Sequence, residues 1–125
     1  GMMFDYVYPQ ENGNRTDVRW ISMTDLQGGG IQFLGVEPMS VSVWNTTQEE
    51  LQKAMHVGEP QMLRDSFVIN VDHLQTGVGG TDSWSQSARP SDQYRLMEKH
   101  YSYSFYIRPV RGRTDAVSAG RKLCR

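Results

Sequence analysis

The 125-residue chain has a single cysteine, Cys124, beside its C-terminus. No disulfide framework and no cysteine-based zinc site can form within it. Long apolar runs are missing as well. Nothing approaches the ~18 consecutive apolar residues of a membrane-spanning helix, so no membrane partner is expected. No signal-peptide pattern opens the sequence, and Gly1 before Met2 reads as the remnant of an expression tag, which leaves the compartment, cytoplasmic or periplasmic, open. There is no internal repeat and no interdomain linker, and the length suits one domain.

A strong excess of one charge is also absent, since 13 basic residues face 14 acidic ones. The balance is uneven along the chain. Residues 111–125 hold Arg111, Arg113, Arg121, Lys122 and Arg125 against Asp115 alone, which leaves the remainder acidic. An acidic body is poorly suited to collecting phosphates, so nucleic acid is not an expected partner. The basic stretch carries Gly112, Ser118 and Gly120 and few large apolar groups, so 111–125 is expected to be a flexible tail behind a domain spanning 1–110.

Alternation with a period of two dominates what is present. Phe67, Ile69 and Val71 fall on one face, with Val68, Asn70 and Asp72 on the other. Tyr101, Tyr103, Phe105 and Ile107 alternate with Ser102, Ser104, Tyr106 and Arg108, and Met39, Val41 and Val43 with Ser40, Ser42 and Trp44. Half-buried strands need this pattern. Two further runs, Asp17–Thr24 and Ile31–Val36, flank Asp25-Leu26-Gln27-Gly28-Gly29-Gly30, which predicts a hairpin. One segment departs from the period. Thr47 and Glu50 form an S/T-x-x-E capping box, Leu51, Ala54 and Met55 have helical spacing, and Gly58 and Pro60 follow as a stop. The pattern predicts an amphipathic helix over 48–56. The Asn45-Thr46-Thr47 sequon is read as part of that cap. The fold class is therefore all-β, an antiparallel β-sandwich with one short helix.

The least ordinary stretch is Gly77-Val78-Gly79-Gly80-Thr81-Asp82-Ser83-Trp84. A phosphate loop would need a helix directly after the glycines and a lysine, and neither follows. Gly77, Gly79 and Gly80 permit a tight turn, Asp82 and Ser83 can bond loop amides, and Trp84 is then held at a fixed angle. A rigid indole can stack on the apolar face of a sugar ring. Composition leaves a second possibility equally open, in which Trp84 folds back and plugs the core. Trp20 and Trp44 read as core or edge-covering residues. His56, His73 and His100 have no metal-ligand spacing, and His73 is expected to bond its neighbouring loop. No G-x-S-x-G elbow is present, and nothing selects a catalytic pair among Glu11, Asp17, Glu37 and Asp82.

Several segments together resemble the C-terminal portion of the glycoside hydrolase family 2 β-galactosidases. They are Pro9-Gln10-Glu11-Asn12-Gly13-Asn14-Arg15-Thr16-Asp17-Val18-Arg19-Trp20, Thr47–Leu51, Ala54-Met55-His56, Asn70-Val71-Asp72, the Gly77–Trp84 block and the Tyr101–Pro109 strand, in family order. Thr81 stands where the family commonly has an aspartate, and Gln86 where a proline often follows. The resemblance implies the later part of the last domain, a galactose-mutarotase-like supersandwich. It implies a retaining glycosidase acting on terminal β-D-galactosides, whose two catalytic glutamates lie in a barrel elsewhere and match no position here. The isolated chain is accordingly expected to be inactive. Trp84 corresponds to the one tryptophan that this domain lends to the active site, a stacking wall mainly for the group beyond galactose. The implied partners are a galactoside and the remaining domains of the parent enzyme. No cofactor is expected in this chain, the family's magnesium and sodium or potassium ions being bound elsewhere. A 125-residue piece of a larger sandwich would expose sheet edges, so the chain is expected either to close into a compact smaller sandwich or to self-associate edge to edge. The competing reading is a free-standing carbohydrate-binding module with the same tryptophan, and a third is a purely structural sandwich with Trp84 buried.

Overall fold

The computed structural model describes residues 13–56, 58–60, 63, 65–76, 84–85 and 87–123. The expected hairpin is present, formed by β1 (Arg15–Thr24) and β2 (Gly29–Trp44). Its turn is a three-residue loop closed by Asp25 N donating to Gly29 O at 2.8 Å and Gly28 N donating to Asp25 O at 3.1 Å. Gly28 has φ +87°, which only glycine adopts without cost and which the right-handed twist of the strands requires here. Asp25 Oδ1 accepts from the amides of Gln27 and Gly29, both at 2.9 Å, so the aspartate secures the turn it opens.

β2 is the spine of the sheet. The sequence predicts two strands over this stretch, yet one continuous 16-residue strand forms. β1 lies along one edge. Along the other, β3 (Val68–Asp72) pairs with Ser40–Trp44, and β4 (Phe105–Arg111) pairs with Gly29–Gly35. All pairs are antiparallel. Pro38 is tolerated because it falls between the β4 and β3 pairings, where it owes no ladder bond. The pairing with β1 is irregular there too, since β2 spends more residues than β1 between Trp20↔Leu34 and Val18↔Met39. Asp17 (φ +56°) sits at a second register shift, between Arg15 and Val18.

The helix α1 (Gln48–Lys53) begins as the capping box predicts, with Thr47 Oγ1 accepting from Glu50 N at 3.2 Å and Leu51 buried. It stops at Ala54, before the expected end at His56. The Glu59 carboxylate competes for the next amides, accepting from Met55 N at 2.7 Å and His56 N at 3.2 Å, with His56 Nδ1 also at 2.7 Å. Those donors, the Met55 amide foremost, hold the Glu59 carboxyl below its ordinary pKa.

The basic end differs from expectation. Instead of a flexible tail, Arg113–Leu123 forms a helix, α2, which packs against β4, β2 and β1. Ala116 and Gly120, four residues apart, face inward, and their small size lets the helix press against the sheet. A Cβ on Gly120 would run into the Trp20 indole. Gln32, fully buried, donates through Nε2 to Ala116 O at 2.8 Å. Arg108 Nη2 donates to both oxygens of Asp115 at 2.7 and 2.8 Å, and Arg111 N adds a bond of 3.1 Å. Arg121 and Lys122 occupy the last turn, where the helix dipole favours cations. Polar anchoring and close approach replace the apolar stripe that the sequence lacks.

The architecture is all-β in type, mostly antiparallel sheet with the short helix α1, consistent with a sandwich-like domain. Among the described residues the second layer is α2 alone. The core lies on β2, where Leu34, Met39, Val41, Val43 and Trp44 are buried, with Val110 and Ala116 beside them.

Candidate functional site

Trp84 lies on the surface, 88% exposed, so the indole does not plug the core. Of the residues expected to position it, Gly77, Gly79, Gly80, Asp82 and Ser83 lie outside the described residues, as does Cys124. Trp44 is buried and Trp20 half-buried against α2, the core and edge-covering roles expected of both. The three tryptophans thus divide by environment, and Trp84 alone presents a large aromatic face to solvent.

The histidines do not gather. His56 belongs to the Glu59 turn. His73 stacks on Tyr103, with centroids 5.4 Å apart and planes 10° from parallel, and its Nε2 lies 3.4 Å from Glu37 Oε2. The sequence suggested a bond to the adjacent loop instead; the approach of Tyr103 and of β2 supplies closer partners. Its Nδ1 is buried without a hydrogen bond. Among the described residues no three of His, Cys, Asp and Glu come together as a metal site would require.

Several carboxylates are spent on local structure: Asp115 on Arg108 and Arg111, Glu59 on the 55–59 turn, Glu49 on Lys53 at 2.9 Å and Asp92 on Arg95 at 2.9 Å. The guanidinium of Arg108, and then the Arg111 amide, hold the Asp115 carboxyl below its ordinary pKa. A general acid needs the opposite shift, upward toward neutrality. Neither perturbed carboxylate is tuned for proton donation.

An open cleft of about 510 Å³ begins at Leu74 and Gln75, just beyond the end of β3. Tyr94, Leu96, Met97 and Tyr101 line it and are all exposed. Tyr101 Oη accepts from the Glu98 amide at 2.7 Å, which fixes its ring. The sequence reading missed this cleft, although the apolar cluster at 94–97 outside any strand period was a usable signal. What the described surface offers is exposed aromatic and apolar area, at Trp84 and along this cleft.

Comparison with known proteins identifies the family. The family model described as "Beta galactosidase small chain" matches residues 1–107. The chain is 34% identical over 106 residues to a β-galactosidase of Priestia megaterium, covering 84% of this chain and 10% of that protein. It is 38% identical over 103 residues to one of Vibrio cholerae, covering 82% and 9%. With one of Halalkalibacterium halodurans the identity is 42% over 92 residues, covering 73% and 9%. The chain therefore spans about a tenth of the length of the curated relatives it matches. A family model matched over residues 1–107, with relatives of this identity over most of the chain, makes it a member of the β-galactosidase small-chain family.

Proposed function

We propose that the chain is the last domain of a retaining glycoside hydrolase family 2 β-galactosidase, part of a supersandwich that supports the catalytic barrel. In this reading the parent enzyme hydrolyses terminal β-D-galactosides. One glutamate of the barrel attacks the anomeric carbon, and a second protonates the leaving oxygen and then activates water. Magnesium and sodium or potassium ions belong to that larger part. The chain's own contribution is Trp84, an aromatic wall against which the group beyond galactose stacks. Gly77, Gly79, Gly80, Asp82 and Ser83 set its angle.

The observation that carries the reading is the exposed indole at the end of the Gly77–Trp84 block. Shielding ~50 Å² of apolar sugar surface contributes about 1–1.5 kcal/mol, roughly tenfold in affinity. The test is Trp84→Ala in the parent enzyme, with Trp84→Phe as the conservative variant. The expected result is a roughly tenfold loss in kcat/KM, mostly in KM, that grows with the size of the leaving group and is partly restored by Phe. Unchanged kinetics across leaving groups would remove Trp84 from the cleft.

The exposed tryptophan also suits a free-standing carbohydrate-binding module. Titrating galactosides against the 125-residue chain while following tryptophan fluorescence separates the two. Binding that Trp84→Ala abolishes favours the module, whereas silence favours a dependent domain. Hydrolysis by the chain alone would contradict both.

A further inference from the structure

The cleft beyond β3 is built from short-range bonds that hold two aromatic residues in place. Gln75 Nε2 reaches Asp72 Oδ2 at 3.4 Å and ties the rim to the end of β3. A single 3₁₀ turn, Asp92–Tyr94, carries the first ring. It is closed by Tyr94 N donating to Ser91 O at 2.8 Å and Arg95 N to Asp92 O at 3.1 Å. The second ring, Tyr101, is fixed through the Glu98 amide, and Tyr103 Oη donates to Val71 O at 2.7 Å, which pins the chain that follows to β3. Tyr94 is 60% and Tyr101 43% exposed, so both stay open to a ligand while their surroundings are already ordered. Such preorganisation lowers the entropic cost of binding.

The geometry points to this cleft as a second carbohydrate-binding site, which takes a neutral oligosaccharide and does not depend on the role proposed for Trp84. A sugar is apolar on its ring face and hydroxylated around its edge, and the lining matches both. Tyr94 and Tyr101 supply flat apolar area, while the amides of Gln75 and Gln93 and the carboxylate of Asp92 supply donors and acceptors for paired hydroxyls. Other occupants fit less well. Among the described residues Arg95 is the one cation of the lining, and its guanidinium is already paired with Asp92 at 2.9 Å. Glu98 adds a further negative charge, so a phosphate or carboxylate ligand would meet repulsion. A permanent protein interface excludes charge from its core, whereas half of the side chains around this cleft are polar or charged. Its volume of about 510 Å³ falls within the range of small-ligand sites.

The test titrates a neutral disaccharide, lactose, into the 125-residue chain carrying Trp84→Ala, so that the indole contributes nothing. Backbone amide shifts followed by NMR report where it binds. The expected result is millimolar binding with shifts confined to residues 74–75 and 92–101. Cyclohexanol, which has an apolar ring without paired hydroxyls, should bind about fivefold more weakly, the difference that one net hydrogen bond makes. Adding Tyr94→Ala should weaken lactose binding roughly tenfold, through loss of one shielded ring face, and Tyr94→Phe should retain most of it. Tyr94 is exposed enough for the chain to tolerate both changes, which circular dichroism checks. No shifts at these amides under excess lactose would overturn the inference. Equal affinity for cyclohexanol would reduce the cleft to unspecific apolar contact and overturn it too, as would undiminished binding by Tyr94→Ala. None of these outcomes touches the reading of Trp84, which is judged from the kinetics of the parent enzyme.

Discussion

Strands β1, β2 and β4 present two unlike faces. One carries Trp20, Gln32, Leu34, Arg108 and Val110 and faces α2; the other carries Ile21, Met23 and Phe33, half-buried, and Ile31, Ile107 and Pro109, exposed. The covered side mixes polar groups, Gln32 and Arg108, with the buried apolar Leu34 and Val110. The helix explains the mixture. α2 has small inward-facing residues, so it gains little from burial of large side chains and takes its hold from Gln32 and Arg108. Such a helix would have nothing to grip on the apolar face.

Core substitutions on the two faces should separate them most widely. Leu34 is 1% exposed, and Leu34→Ala should cost about 3 kcal/mol, because both transfer and cavity terms apply. Ile107 is 58% exposed, and Ile107→Ala should cost under about 1 kcal/mol in the chain by itself. Equal costs in the separate chain, read from denaturant midpoints, would mean that the face is already covered there.

The junction of α2 with the sheet offers the next largest effect. Gly120→Leu would drive a side chain into the Trp20 indole, and overpacking of this kind costs about 2 kcal/mol. The helix, having few apolar contacts to lose, should lift away before the sheet yields. Hydrogen exchange should then accelerate at the amides of 116–120 while those of β2 stay protected. Uniform acceleration across both would show helix and sheet to be one cooperative unit.

What the sequence made legible follows from how local each signal is. The Asp25–Gly28 turn and the Thr47 cap are each decided within a few residues and formed as predicted, whereas the alternating runs formed strands over Val68–Asp72 and Phe105–Arg111, without the expected 101–104 and with β3 evenly half-buried on both faces. The early stop of α1 is nearly local too, but it depends on the Glu59 carboxylate reaching back to two amides, which no propensity records. α2 was illegible because its anchors, Gln32 and Arg108, come from distant strands, and its inward residues are too small to register as a period. The continuity of β2 through Pro38 was hidden for a similar reason, since the gap between β4 and β3 that accommodates the ring exists only in the assembled sheet. For the candidate site, composition left Trp84 poised between surface and core. The fold placed it outside, and its proposed role rests on the resemblance carried by the Gly77–Trp84 block.

The smallest of these effects, and the one that isolates the covered face, is its pH dependence. Hydrogen bonds from Arg108 and the Arg111 amide favour the charged form of Asp115 and lower its pKa in the folded chain. A carboxyl depressed on folding contributes stability above its unfolded pKa and loses it as the pH falls through the folded value. The contribution should therefore be full near neutrality and fade on acidification from about pH 5 downward. Asp115→Asn removes it at every pH. The gap in midpoint between wild type and Asp115→Asn should be constant above that range and close below it, with α2 loosening first. Glu59 titrates in the same direction but on α1's side of the molecule, so Glu59→Gln should leave the gap unchanged. A gap that persists undiminished into acid would mean that the pair with Arg108 does not hold the helix, and that Gln32 and the close approach at Gly120 suffice alone.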